Sequence, residues 1–250
     1  MTRELLRARL NQKRCLSERA QCFHLEFEVE DAHEFAFTPG QFVSAVAEDA
    51  HGKQQMRAYS IASAPSGNRF ALCLNRVEDG FFSNRLADMR EGEALLFQEP
   101  LGFFTLRQPL TDSILIATGT GVAPMRGFVQ WLFPEAGPDR SEGRQIWLVY
   151  GTRHETELYY REEFEAVAAR HVNFHYLPTL SRAAEDWTGL RGYVQENAVR
   201  IVKERGTRAS GPELDIHAYV CGLSPMIHAV RERLKDLGWN RKQIITERYD

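Results

Sequence analysis

Arg57, Ala58, Tyr59 and Ser60 stand in a row and offer a cation, an aromatic face and a hydroxyl side by side. A guanidinium makes forked, charge-assisted hydrogen bonds to phosphate or carboxylate oxygens. A tyrosine ring stacks on a flat ligand or packs along a flexible chain. Further on, Thr118-Gly119-Thr120-Gly121-Val122-Ala123-Pro124 follows an apolar run and opens a helical stretch. Glycines in that setting let the backbone close on a pyrophosphate beyond the carboxyl end of a strand. A Gly-x-Gly pair by itself is often no more than a tight turn. Between the two runs, Gly80-Phe81-Phe82-Ser83 would set orphan N–H groups and a hydroxyl at a helix N-terminus, where anions are favoured. The bland alternative is an N-cap serine. Arg153 follows a second apolar run, in Gly151-Thr152-Arg153, and Ser181-Arg182 joins a hydroxyl to a guanidinium with no carboxylate between them. These types suit the holding of phosphate-bearing nucleotides.

Two kinds of scaffold must position these residues. The first hundred residues read as short strands, among them Gln41–Val46, Arg69–Val77 and Ala94–Gln98, punctuated by turns such as Ala64-Pro65-Ser66-Gly67-Asn68. That pattern predicts an antiparallel barrel or sandwich, with a short helix near Ser83. After Pro109, apolar runs alternate with helical stretches: Ser113–Thr118, then Met125–Phe133; Gln145–Tyr150, then Tyr159–Arg170; Val172–Leu177, then Val194–Glu204; His217–Cys221, then Pro225–Leu237, and a last strand around Ile244–Thr246. Runs apolar on both faces, alternating with helices, predict a parallel sheet covered on both sides. The expected domains are 1–108 and 109–250. Pro134–Gly143 and Gly206–Gly211 read as exposed loops.

Composition narrows the function classes. Of 250 residues, 43% are apolar and 26% charged, and the formal net charge is -3. These are the proportions of a globular chain, and the charge argues against bulk nucleic-acid binding. No apolar run approaches the ~20 residues of a membrane span. The basic N-terminus (Arg3, Arg7, Arg9, Lys13, Arg14) runs straight into the strand-like Phe23–Val29 and reads as part of the fold. Cys15, Cys22, Cys73 and Cys221 are scattered, without a CxxC pair. That spacing argues against a metal site or cluster, and a reducing cytoplasmic compartment is expected.

In this order and spacing, Arg57–Ser60, Gly80–Ser83, Gly119–Pro124, Gly151–Arg153, Cys221-Gly222 and Glu247-Arg248-Tyr249 resemble the ferredoxin–NADP reductase family over nearly the whole length. The resemblance implies an N-terminal antiparallel Greek-key β-barrel for FAD, followed by a Rossmann-like parallel α/β domain for NADP(H), with NAD(H) as the other option. It implies Arg57 on the flavin pyrophosphate, Ala58 and Tyr59 along the ribityl chain or ring, and Ser60 at flavin N5. Cys73, Leu74 and Asn75 would run beside the flavin, Gly80, Phe81, Phe82 and Ser83 would hold its pyrophosphate, and Thr118 would lie close to its ring. Gly119, Thr120, Gly121, Arg153, Ser181, Arg182, Cys221, Gly222, Leu223 and Met226 would take the nicotinamide nucleotide. Ser60, Cys221 and Glu247 would be catalytic, and Tyr249 would stack on the flavin. The extra Asp250 departs from the family's terminal aromatic residue.

The resemblance further implies electron exchange with ferredoxin or flavodoxin by a monomer, and the basic N-terminus is a candidate docking face for such acidic carriers. Other readings stay open. The chain could be an NADH-dependent reductase component of an oxygenase or similar system, a free flavin or ferric reductase, or a non-catalytic nucleotide-binding electron-transfer subunit. Among the residues, Tyr59 and Ile61 could alternate into a core with Arg57 solvated, Cys221 could be a small buried apolar residue, Arg182 an exposed turn arginine and the tail a frayed end.

Overall fold

The computed structural model describes residues 5–205 and 216–249. Arg3, the stretch Gly206–Gly211 and Asp250 lie outside the described residues. The chain divides into two compact units, Met1–Thr105 with Arg126–Trp131, and Leu106–Met125 with Leu132–Asp250.

The first unit contains β1 (Leu5–Ser17), β2 (Cys22–Val29), β3 (Phe42–Glu48), β4 (Gln54–Ser60), β5 (Arg69–Asn75), α1 (Phe81–Asp88) and β6 (Ala94–Leu101). The strands form an antiparallel sheet in the order β4-β3-β6-β1-β2-β5. Strand β6 returns between β3 and β1, as a Greek key requires. A bridge between Ile61 and Leu72, with the Ala62 N–H donated to Ala71 O at 2.7 Å, brings the two end strands together and closes the barrel. Alternation sets its interior: Leu25, Phe27 and Val29 of β2 and Phe70, Leu72 and Leu74 of β5 point into one core. The rings of Phe27, Phe70 and Phe97 pack at 5.0–5.5 Å. Burying each such side chain stabilises the fold by about 1.5–3 kcal/mol.

The basic N-terminus is strand β1, which short-strand punctuation had not revealed. Arg7 and Arg9 pair with Glu30. The Lys13 ammonium donates to the carbonyls of Ala87 and Met89 at the end of α1, where a cation complements the helix dipole. These cations are paired within the unit while Arg7 and Arg9 stay exposed, and Arg14 beside them is exposed as well.

The remaining elements are β7 (Asp112–Thr118), α2 (Val122–Leu132), β8 (Ile146–Thr152), α3 (Arg161–Arg170), β9 (Phe174–Leu180), β10 (Leu190–Arg191), α4 (Val194–Arg205), β11 (Ile216–Gly222), α5 (Ser224–Asp236) and β12 (Ile244–Arg248). The strands form a parallel sheet in the order β10-β9-β8-β7-β11-β12. One face packs Ile114, Ile116, Val149, Ala218 and Val220 against Val194, Ala198 and Ile201 of α4 and Ile227, Val230 and Leu234 of α5. Leu115, Leu148 and Tyr150 are fully buried as well, so the central strands are apolar on both sides, as parallel sheets demand.

Some boundaries differ from the sequence expectation. Helix α2 starts at Val122, not Met125, because Pro124 falls in the first turn, where a missing N–H costs no hydrogen bond. Helix α3 starts at Arg161 because Tyr160 is left-handed, with φ of 61°, and is buried together with Tyr159. Strand β9 runs Phe174–Leu180; Val172, at 94% exposure, precedes it. Among the described residues, no helix is long and apolar enough to cross a membrane.

Candidate functional site

In the first unit, β4 carries the Arg57–Ser60 run, held in register by β3 through Ala45–Arg57, Ser44–Ala58, Val43–Tyr59 and Phe42–Ser60. The Thr38–Gln41 turn fixes the start of that pairing. Gln41 donates its N–H to Thr38 O at 3.0 Å and accepts from Ile61 N at 2.9 Å through its own carbonyl. Gly40 sits in this turn at φ of 92°, and a Cβ there would lie 1.9 Å from Phe104 O. Ile61 is sealed in the core, Tyr59 is half-buried against it, and Arg57 and Ala58 are exposed. Burial pushes the Tyr59 phenol up to about 12, against the pull of the nearby Arg57 cation. Its hydroxyl is therefore a donor at neutral pH. Ser60 is buried at the end of the strand.

Beyond Ser60, Arg126–Trp131 of the same unit hold the chain. The buried Arg126 donates to Ala62 O at 2.6 Å, and Gln130 accepts from Ala64 N at 3.0 Å. Arg126 and His24, whose ring burial drives down to about 3 with help from the Arg126 and Arg14 charges, had no signal in the sequence.

Helix α1 opens at Gly80, where a Cβ would lie 2.3 Å from Ser83 Oγ. Ser83 is the third helical residue, not the cap. Its hydroxyl accepts from Val77 N at 3.1 Å and donates to Gly80 O at 3.3 Å. The hydroxyl is thus tied into the turn, and the first backbone N–H groups, of Phe81, Phe82 and Ser83, are what this helix end offers an anion. Phe82 is buried and Phe81 is 40% exposed. Cys73, Leu74 and Asn75 close β5, the last strand in sheet order; its outer edge is bridged at Arg69 by Ser66 and at Leu72 by Ile61. Asn75 donates to Ala20 O at 2.7 Å. Cys22 and Cys73 are buried with their sulfurs 3.8 Å apart. An exposed guanidinium, a protonated phenol, a helix end and a strand edge fit a flavin dinucleotide.

In the second unit the sheet order reverses between β7 and β11, which makes the carboxyl ends of these strands a ligand crevice. Gly119–Gly121 turn as a single 3-10 segment between β7 and α2. Gly119 has φ of 53° with open space on its Cα. A Cβ on Gly121 would lie 2.3 Å from Cys221 O, and one on Gly222 2.6 Å from both Thr118 Oγ1 and Met226 Cε. Gly121 thus packs directly on the Cys221 backbone, and Gly222 on the side chains of Thr118 and Met226. The buried Tyr150 hydroxyl lies 3.1 Å from Gly119 O and 3.3 Å from Glu157 O, bracing the glycine turn. Glycine backbone with free space above it fits a nucleotide pyrophosphate.

Cys221 is fully buried and registers with Glu247 on β12, its sulfur 4.0 Å from Glu247 Oε1. Burial first, then the Glu247 charge, pushes its thiol well above the usual range, while a Tyr249 hydrogen bond pulls the other way. Cys221 is therefore a neutral thiol. Glu247 lies in β12, and Tyr249 donates its N–H to Gly222 O at 3.2 Å, so this segment is docked and not frayed. Leu223 is 59% exposed just before α5.

Arg153 and Arg182 come together at the carboxyl ends of β8 and β9. Arg182 donates its N–H to Arg153 O at 3.0 Å, and Ser181 donates its own to Thr152 O at 3.0 Å. Ser181, Arg182 and Arg153 are exposed, and among the described residues no carboxylate pairs with either guanidinium. Tyr193 is 61% exposed.

The chain matches the family model described as the oxidoreductase FAD-binding domain over residues 7–106. It matches the oxidoreductase NAD-binding domain over 115–232. It is 38% identical over 230 residues to ferredoxin–NADP reductase B of Sorangium cellulosum (strain So ce56), covering 90% of this chain and 91% of the relative. This chain belongs to the ferredoxin–NADP reductase family. It is an FAD-containing NAD(P)H oxidoreductase. The reductase is also 33% identical to the reductase component DmpP of phenol 2-monooxygenase from Pseudomonas sp. (strain CF600), over 85% of this chain but 58% of that one. Its fold is that of a ferredoxin NADP+ reductase from Neisseria gonorrhoeae with bound FAD and NADP, at TM-score 0.78 and 21% identity over 98% of both chains.

Proposed function

We propose that this reductase is an FAD-dependent ferredoxin or flavodoxin–NADP+ oxidoreductase, working as a monomer. The observation that carries the coenzyme choice is the exposed pair Arg153 and Arg182, bonded main chain to main chain beside Ser181, with no ion pair from either guanidinium to a carboxylate among the described residues. A 2′-phosphate needs donors and cations, whereas a ribose diol is commonly met by a carboxylate. The choice of a separate carrier protein is supported by the likeness to ferredoxin–NADP reductase B over nine-tenths of both chains.

When bound, the flavin accepts a hydride at N5 and returns electrons singly. The chain's task is to hold and orient. In this reading residues 1–108 take FAD: Arg57 and the N-terminus of α1 neutralise its pyrophosphate, Tyr59 packs along it and Ser60 donates at N5. Residues 109–250 take the coenzyme: Gly119–Gly121 close on its pyrophosphate, and Cys221, a neutral thiol, bounds the nicotinamide pocket without nucleophilic chemistry. Glu247 supports proton traffic there, and Tyr249 is the aromatic residue for the flavin. An NADH-dependent oxygenase component is the second reading, favoured by the DmpP likeness.

Anaerobic reduction of the holoprotein by NADPH and NADH in parallel, followed by titration with ferredoxin and flavodoxin, separates these readings. We expect bleaching of the flavin at lower NADPH than NADH concentration, then reoxidation by a carrier. Preference for NADH without reoxidation by either carrier would shift the assignment to the oxygenase-component reading.

A further inference from the structure

The loop that bears Ser181 and Arg182 is built around a residue that no motif singles out. Residues 182–187 arch over the Arg191 side chain. Its Nη2 lies 2.8 Å from Ala184 O, 3.1 Å from Glu185 O and 2.9 Å from Trp187 O, and its Nη1 lies 3.4 Å from Ala183 O. The arch is closed at its far end by Trp187, whose Nε1 donates to Leu190 O at 2.9 Å and whose ring lies 5.5 Å under the Arg161 guanidinium. At its near end Arg182 and Ser181 are bonded to the Arg153 and Thr152 carbonyls. Arg191 itself is anchored by β10, in register with Leu180 of β9.

We propose that Arg191 is the positioning residue that sets coenzyme choice: it fixes the arch from inside so that Arg182 is presented ready to meet a 2′-phosphate. This rests on the NADPH reading above. Both terminal nitrogens of Arg191 are turned onto main-chain carbonyls, so its part is to shape the loop and not to bind phosphate. A planar guanidinium serves several carbonyls at once; an ammonium is a point donor and serves fewer. An arch held in its binding conformation before the ligand arrives spares the ordering cost at binding. That saving applies only to ligands that Arg182 touches.

The test uses holoprotein, with 2′,5′-ADP and 5′-ADP as probes in calorimetry. For R191Q we expect 2′,5′-ADP to bind about tenfold more weakly, the scale of one or two side chains ordered at binding, with 5′-ADP unchanged. R191K should fall between wild type and R191Q. In turnover, KM for NADPH should rise while kcat at saturation and KM for NADH hold. Equal losses for both probes, or none for either, would overturn the proposal. R182A is the control. If it weakens both probes alike, the NADPH reading fails and this inference with it. If R182A is selective and R191Q is not, only the role of Arg191 fails.

Discussion

At the scale of single residues, Cys221 shows how burial decides chemistry. A thiol becomes a nucleophile when neighbouring cations lower its pKa. Here burial and the Glu247 carboxylate act in the opposite direction. The linkage has a definite sign. Folded protein retains the Cys221 proton above the ordinary thiol range, while unfolded chain releases it, so stability falls as pH rises past about 9. The stability that protonated Cys221 preserves is fully present below that pH. In Cys221→Ala this contribution is gone, and melting temperature should decline less steeply between pH 8.5 and 10 than in the parent. Glu247→Gln removes the repelling charge and should give an intermediate slope. Parallel slopes for all three proteins in differential scanning calorimetry would refute the coupling.

At the scale of elements, the turn ahead of β3 sets where Arg57–Ser60 stand. Gly40→Ala forces a Cβ into Phe104 O and a side chain into a left-handed backbone. Strain of this kind costs about 1–3 kcal/mol, before any clash is relieved. We expect an urea midpoint lowered to match and weaker FAD retention on dilution; Gly52→Ala, whose Cβ would meet nothing within 4 Å, serves as the comparison for backbone strain alone. Elements were legible in the sequence wherever period and punctuation agreed. The apolar runs at Ile114–Ala117 and Ala218–Cys221 lie in central parallel strands, and Gly119–Gly121 is the turn between strand and helix that its glycines implied. Strand β1 was hidden because register shifts after Leu10 and after Cys15 interrupt the period-two alternation that Arg7-Ala8-Arg9-Leu10 begins. The N-terminal turn of α1 was legible as glycine-serine chemistry, but not the fact that Ser83 turns its hydroxyl back on Val77 and Gly80. Arg126, Tyr150 and Arg191 were invisible for one reason: each acts on main-chain carbonyls distant in sequence or across a loop, and such partners leave no pattern of residue types.

At the scale of the whole molecule, the first loss of stability on acidification is expected from a histidine far from any motif. His24 lies on β2 with 2% exposure, beside the buried Arg126. Burial is the larger cause of its lowered pKa, and the positive charges of Arg126 and Arg14 add to it. In the folded protein the ring stays neutral down to about pH 3, whereas in the unfolded chain it takes a proton below its ordinary value of 6.5. Unfolded chain therefore binds the extra proton in this window, and stability rises with pH there. The contribution is complete above pH 6.5 and is lost progressively as pH falls toward about 3. The Asp88 carboxylate, which its hydrogen bond with Arg76 holds below the usual carboxylate range, adds to the loss only at the lower end of the window. The two sources can be separated by pH. His24→Gln keeps a polar, uncharged side chain on β2, so it should flatten the stability profile between pH 6.5 and 5 and leave the steep fall below pH 4 in place. Denaturant midpoints measured across pH 4–8 for parent and variant are the check. A variant whose profile keeps the parent's slope from pH 6.5 to 5 would show that His24 does not cause the loss in that window.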